Sequence, residues 1–148
     1  MNKIHTSLRP KTSIFQIIFW SILGLLFYNF CNSYPVVMVL VGCSFGIAGG
    51  IMQTLSLREA GPSILETKTM LEIRGQLMLT TWGKRYIYFS WSGGVLLLAI
   101  AFYFSRSPFF AFALAYSTFY VAREAITLPS LFNLHRMYLA TMDTSQNC

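Results

Sequence analysis

Two charged residues, Arg123 and Glu124, lie near the end of an apolar run that covers residues 109–128. At about 1.5 Å per residue, Arg123 lies about 21 Å along a helix that begins at Phe109, in the inner third of a membrane span. Ionisable residues at such depths are costly and usually functional, so we consider Arg123, Glu124 and the nearby Arg85 as a possible polar pocket or partner contact. We favour the structural interpretation, in which Arg123 extends to the cytoplasmic headgroups and Glu124 faces polar loop atoms. Since adjacent helical residues point about 100° apart, we do not expect these two to pair with each other.

The rest of the chain offers little further material for catalysis. The first three apolar runs contain no Asp, Glu, Lys, Arg or His, and both histidines, His5 and His135, lie outside the runs, so haem ligation between helices is not expected. The three cysteines form no CxxC pair, and the sequence has no P-loop, GxSxG or HExxH motif. We therefore predict a protein that is not an enzyme, with no catalytic residue, no cofactor and no metal ion.

Glycines recur at every fourth position of the second run: Gly42, Gly46 and Gly50, within the stretch VGCSFGIAGG. This spacing places them on one helix face, where the lack of side chains lets a neighbouring helix approach closely. A phosphate site would need free amides at the start of a helix, whereas these amides lie in mid-helix. We predict a helix-packing face and favour packing within the chain over packing between chains. A bend in the helix is the alternative.

The elements that position these residues must suit a lipid environment. Of the 148 residues, 55% are hydrophobic and 11% are charged, whereas about a quarter of the residues in soluble domains are charged. A bilayer core needs roughly 20 apolar residues per crossing helix. Four runs approach that length, and they cover residues 13–30, 36–55, 86–104 and 109–128. The predicted fold class is an all-α membrane protein with four transmembrane helices.

Positive charge sets the expected orientation, because Lys and Arg concentrate on the cytoplasmic side of membrane proteins. The formal net charge is +6, and the basic residues lie mainly in the arm 1–12, the segment 56–85 and the tail 129–148. We predict that these parts and both termini are cytoplasmic (N-in/C-in), around a transmembrane domain of residues 13–128. From Ser130 onward, the tail is expected to form a short interfacial helix.

The segment between the second and third runs alternates apolar and polar residues on both sides of Gly75. Period-two alternation around a glycine indicates a hairpin, so we predict a cytoplasmic β-hairpin-like segment in residues 67–82. The apolar face of this hairpin, offered to a partner or to the bilayer surface, would consist of Leu71, Ile73, Leu77 and Leu79. An amphipathic helix along the interface is the alternative.

Spans that lack reactive groups, together with a patterned cytoplasmic segment, favour a non-catalytic role. We expect an accessory, assembly or immunity-type subunit that binds a membrane-protein partner, or a homo-oligomer, within the lipid bilayer. The basic residues flank apolar runs, where they meet anionic lipids, so no nucleic acid partner is expected. The alternative is a small transporter or lipid-handling protein with a cytoplasm-facing polar pocket. Short connections between the runs suit the bacterial cytoplasmic (inner) membrane.

Overall fold

The structure, a computed structural model, describes residues 9–66 and 69–146. Within them, five α-helices follow one another: α1 (Pro10–Phe30), α2 (Pro35–Ala60), α3 (Met70–Leu79), α4 (Thr81–Phe104) and α5 (Pro108–Gln146). A short 3-10 helix, Pro62–Glu66, lies between α2 and α3. These described residues contain no β-strand, so all of their regular secondary structure is helical.

Proline and threonine determine where the helices begin. Pro10, Pro35 and Pro108 are each the first residue of a helix, a position where the missing amide hydrogen costs no helical bond. Thr69 begins α3 through a capping box: its hydroxyl accepts the amide hydrogen of Glu72, and the Glu72 carboxylate accepts that of Thr69. Both exchanges satisfy amides that would otherwise be unpaired at the start of a helix.

Three of the described helices are long and apolar enough to cross a membrane: α1 with 21 residues, α2 with 26 and α4 with 24. Large apolar side chains remain exposed on these helices, for example Leu25 on α1, Leu40 on α2 and Val95 on α4. Such surfaces are expensive in water and suit contact with lipid. The chain is therefore a membrane protein.

Helix α5 is the element on which α1, α2 and α4 all pack. It runs antiparallel to α1, since Ser13 bonds to Glu124 whereas Phe30, at the other end of α1, stacks on Phe110. It runs parallel to α2. As a result, the start of α1, the end of α2, helix α3 and the second half of α5 all lie at one end of the bundle, which we call the α3 end.

The prediction of four transmembrane helices followed by a separate tail helix is wrong. Three helices qualify as spans, and α5 is a single helix of 39 residues that continues through Pro129 and Ser130. The first half of α5 is less apolar than the three spans because it lies among them and carries polar residues, including Arg123 and Glu124, that contact the surrounding helices. An apolar run in sequence does not distinguish a helix that faces lipid from one that faces other helices.

A small apolar core holds the α3 end together and explains why α5 continues past Pro129. A proline within a helix removes one hydrogen bond and favours a break there. Beyond it, however, α5 is held by packing. The buried members of this core come from α2, the 3-10 helix, α3 and α5: Leu57, Ile64, Leu65, Ile73, Leu77, Leu131, Leu134 and Tyr138.

The predicted β-hairpin in residues 67–82 is also wrong, because Met70–Leu79 forms helix α3. Ile73 and Leu77 are four residues apart and both are buried in the core of the α3 end, so a helix accommodates the same apolar positions. A helix pairs its backbone groups internally, whereas an isolated hairpin leaves both of its edges unpaired. Residues 67 and 68, where the predicted hairpin begins, lie outside the described residues.

Candidate functional site

Arg123 and Glu124 form an ion pair between Arg123 Nη2 and Glu124 Oε1, with side chains only 11% and 7% exposed. The expectation that these neighbours would not pair is therefore wrong. The pair lies in the first half of α5, opposite the last turns of α2.

The ion pair connects three helices. Ser13 Oγ on α1 donates a hydrogen bond to Glu124 Oε2, and Arg123 Nη1 donates one to the Tyr86 hydroxyl on α4 at 3.2 Å. Removing charges from water is costly, and the cost is offset only where opposite charge and hydrogen bonds satisfy each group. The neighbouring helices supply these bonds, so the pair is a built feature of the bundle.

An aromatic ring lies against the Arg123 guanidinium. Its Cζ atom lies 4.2 Å from the centroid of the Tyr120 ring, a cation–π distance. Trp20 of α1 stacks on Tyr120 with centroids 4.8 Å apart, and the hydroxyls of Tyr116 and Tyr120 lie 3.0 Å from each other. The guanidinium is therefore fixed in orientation by a ring on one side and by its bonds to Tyr86 and Glu124.

A cavity of about 480 Å³ adjoins this pair; we call it the Arg123 cavity. It reaches the surface where the exposed side chains of Arg74 and Trp91 line it. All five helices contribute to its wall, which combines polar groups with aliphatic and aromatic ones: Gln16, Gln53, Leu57, Ile73, Arg74, Leu77, Met78, Tyr86, Ile87, Ser90, Trp91, Tyr120, Arg123 and Glu124. Mixed walls of this kind suit a ligand with a polar part and an apolar part.

Two buried polar atoms of residues that line the cavity have no hydrogen-bond partner among the described residues: Arg123 Nε, a donor, and Gln53 Oε1, an acceptor. Buried polar groups in proteins are nearly always paired, because an unpaired one costs about 1–3 kcal/mol. Because both residues line the Arg123 cavity, we interpret these unpaired atoms as indicating a site for a polar group from outside the chain.

The glycine face lies against α5 of the same chain. A Cβ atom added to Gly46 would lie 2.8 Å from the Cβ of Ala122, and one added to Gly50 would lie 2.8 Å from the Cβ of Ile126. One added to Gly42 would lie closer still, against the backbone oxygen of Ala115. The three glycines thus let α2 approach α5 at van der Waals distance, and this approach brings Gln53 to the Arg123 cavity.

The other predicted site residues do not form one surface. Arg85 does not line the cavity; its guanidinium lies 4.9 Å from the ring of Trp82. Of the four residues assigned to the hairpin face, Ile73 and Leu77 are buried in the core of the α3 end, whereas Leu71 and Leu79 are 84% and 85% exposed. Helical geometry separates positions that a hairpin would have placed on one face.

Sequence reasoning missed several residues of this site. Ser13 has no sequence feature that separates it from other serines near the start of a span. Tyr86 and Tyr120 lie in apolar runs that contain many other aromatic residues, and no sequence feature distinguishes them. Gln16 and Gln53, which are polar residues within apolar runs, carried a usable signal, because an amide in a span is seldom placed against lipid.

Comparison with known proteins gives no family for this chain: no protein-family model, curated protein or solved structure matches it significantly. Within residues 9–66 and 69–146, no group of three or more His, Cys, Asp or Glu side chains could hold a metal ion. The functional conclusion therefore rests on the Arg123 cavity and its surroundings.

Proposed function

We propose that this protein is a lipid-handling membrane protein, without catalysis of its own, that binds an amphiphile in the Arg123 cavity. The observation that carries the proposal is the wall of that cavity, where the bonded pair Arg123–Glu124 lies beside apolar side chains such as Leu57 and Ile87. A soluble ion would make no favourable contact with the apolar part of this wall, and a hydrocarbon would form no hydrogen bond with the polar part.

The position of the cavity supports a lipid ligand. It lies towards the α3 end, between the last turns of α2, helix α3 and the first turns of α4. Basic and aromatic residues concentrate there, as is typical of the membrane–water interface. Trp91, which is exposed and lines the cavity, suits the headgroup level. A lipid could therefore place its headgroup in the cavity while its acyl chains remain in the bilayer.

We further propose that the α3 end faces the cytoplasm, in a bacterial cytoplasmic membrane. Among the described Lys and Arg residues, only Arg106 lies at the opposite end. Residue 9, before α1, and the second half of α5 lie together at the α3 end, because the first half of α5 returns the chain to that end among the three spans. This proposal therefore places both in the cytoplasm by the excess of positive charge. Labelling of single cysteines at Arg106 and Leu139 with an impermeant maleimide, in a cysteine-free background, tests it. Reaction from outside at Leu139 would contradict it.

Filling the cavity tests the lipid-handling proposal. The variant Ser90→Trp adds bulk to the wall, whereas the matched control Val95→Trp adds the same side chain to the exposed surface of the same helix. After purification in a mild detergent with a total lipid extract, native mass spectrometry counts the lipids retained. We expect loss of a retained lipid in Ser90→Trp and not in Val95→Trp. Equal retention in wild type and Ser90→Trp would contradict the proposal.

A second candidate function is the accessory subunit that binds a membrane partner. One observation favours it: Leu71 and Leu79 project from α3 almost fully exposed, at the end of the bundle beyond the spans. Large apolar side chains exposed in this way often mark an interface.

Affinity purification tests this second function. The wild type is compared with the double variant Leu71→Gln/Leu79→Gln and with the control Leu139→Gln, another exposed leucine at the same end. A membrane protein that co-purifies with wild type and control but not with the double variant supports the accessory role. A solitary monomer in all three preparations contradicts it.

A further inference from the structure

The wall of the Arg123 cavity has an excess of positive charge. Arg123 and Arg74 contribute two guanidiniums and Glu124 one carboxylate, and all three line the cavity. Glu124 is already bonded to Arg123 and Ser13, which leaves the charge of the exposed Arg74 at the opening unbalanced by any other acid of the wall. Guanidinium groups bind phosphate especially well, since their donors match its oxygens.

The unpaired atoms of Arg123 and Gln53 indicate which hydrogen-bonding groups the ligand carries. Arg123 donates one N–H of Nη1 to Tyr86 and one N–H of Nη2 to Glu124, so three of its five N–H groups, among them the unpaired Nε–H, remain for the oxygen atoms of a ligand. Gln53 Oε1 is an acceptor and requires a donor from the ligand. A phosphate diester has acceptor oxygens but no donor. The remaining requirement is met by a donor group in the same headgroup. A hydroxyl suits it better than an ammonium, because the excess positive charge of the wall repels a cation.

We propose that the Arg123 cavity selects an anionic phospholipid whose headgroup carries a free hydroxyl. The phosphate accepts hydrogen bonds from Arg74 and Arg123 Nε, and the hydroxyl donates to Gln53 Oε1. This inference rests on the proposed lipid-handling function and adds the chemical class of the ligand. A soluble phosphate with a hydroxyl presents the same polar chemistry, but it leaves the apolar wall at Leu57 and Ile87 without a partner.

Native mass spectrometry titrations of the purified protein in a nonionic detergent separate these possibilities with four probes. Phosphatidylglycerol carries the charge and the hydroxyls, phosphatidylmethanol the charge alone, and phosphatidylcholine neither. Soluble glycerol 3-phosphate has the polar groups without acyl chains. We expect phosphatidylglycerol to bind most tightly, with an affinity at least about tenfold above that of phosphatidylcholine, a difference that one charge-assisted contact can supply.

Two cavity variants and one control test which residues cause the preference for phosphatidylglycerol. Arg74→Gln should reduce the ratio of phosphatidylglycerol to phosphatidylcholine affinity, whereas Arg85→Gln, which removes the same charge from the same end but outside the cavity, should leave it unchanged. Gln53→Leu should lower the affinity for phosphatidylglycerol to that for phosphatidylmethanol. Neither cavity variant removes a group with a hydrogen bond to the Arg123–Glu124 pair, so folding should be retained.

The outcomes that overturn this inference differ from those that overturn the function. If phosphatidylglycerol and phosphatidylcholine bind equally well and Ser90→Trp still abolishes retention, the cavity binds lipid without the proposed selectivity. If glycerol 3-phosphate binds as tightly as phosphatidylglycerol, the ligand is a soluble phosphate and the lipid assignment is wrong. If Arg85→Gln changes the ratio as much as Arg74→Gln does, the preference reflects overall charge and the site is wrong.

Discussion

Ser13 of α1 donates a hydrogen bond to the Glu124 carboxylate of α5, across 111 positions of sequence. The same carboxylate forms the ion pair with Arg123, which in turn bonds to Tyr86 of α4. One buried charge pair thus joins the first, fourth and fifth helices beside the Arg123 cavity. Because each of these side chains provides a hydrogen-bond or ionic partner for another, substitutions here should change the stability of the fold as well as ligand binding.

Removal of the carboxylate charge should destabilise the bundle. In Glu124→Gln, the Arg123 guanidinium stays buried without its counter-charge, and we expect the free energy of unfolding to fall by about 3–5 kcal/mol. Denaturant unfolding in mixed micelles, followed by circular dichroism, measures the change. The double variant Arg123→Gln/Glu124→Gln has no unpaired charge and should lose less stability than the single variant. A larger loss in the double variant would show that the charge pair is not the cause.

Close approach of α2 and α5 at Gly46 predicts a penalty for even one methyl group. Gly46→Ala places a Cβ against Ala122 and the backbone of Phe119, and such overpacking should cost about 1–3 kcal/mol of unfolding free energy. The control is Gly94→Ala on α4, where nothing lies within 4 Å of the added atom; it should be neutral or stabilising by up to about 1 kcal/mol. Equal thermal stability of the two variants would refute the packing role.

Helix α3 can be distinguished from a hairpin by two substitutions. Gly75 lies inside α3 with nothing within 4 Å of a built Cβ, so Gly75→Ala should stabilise the helix by up to about 1 kcal/mol. Thr69→Ala removes the hydroxyl of the capping box and should cost about 1 kcal/mol. Amide hydrogen exchange over α3 reports both effects. Faster exchange in Gly75→Ala would favour a turn at this glycine.

The continuity of α5 through Pro129 predicts a specific distance. With Cys31, Cys43 and Cys148 replaced by serine, nitroxide labels at Val121→Cys and Met137→Cys should be about 24 Å apart along one helix. A right-angled break at Pro129 would shorten this separation to roughly 17 Å. Double electron–electron resonance in lipid nanodiscs measures the distribution. A main peak at the shorter distance would contradict the single helix.

The sequence identified residues whose energetic effect depends only on their immediate neighbours along the chain. Arg123 and Glu124 could be identified as unusual because charge within an apolar run is expensive wherever the run lies, and the spacing of Gly42, Gly46 and Gly50 indicated a contact face. Neither pattern indicated which residues of the other helices these residues contact. Ser13, Tyr86 and Gln53 come from other helices, and their meeting with α5 depends on the directions in which the helices pack.

The two errors have a common origin. Apolar positions in residues 67–82 fit both a strand and a helix, and the capping box of Thr69 and Glu72 together with the burial of Ile73 and Leu77 decides for the helix. Likewise, Pro129 and Ser130 resemble the start of a new helix, yet packing beyond them keeps α5 continuous. In both places local preference is weak, and tertiary contacts decide.

By itself, the sequence determined that this chain belongs in a membrane and that it contains one costly pair of charges, because hydrophobicity and charge are properties of the residues present. Tertiary structure alone decided that the pair is bonded to Ser13 and Tyr86, that three apolar helices surround the first half of α5, and that a cavity lies beside Arg123. Those features depend on contacts between distant segments, whose energies appear only when the helices are assembled.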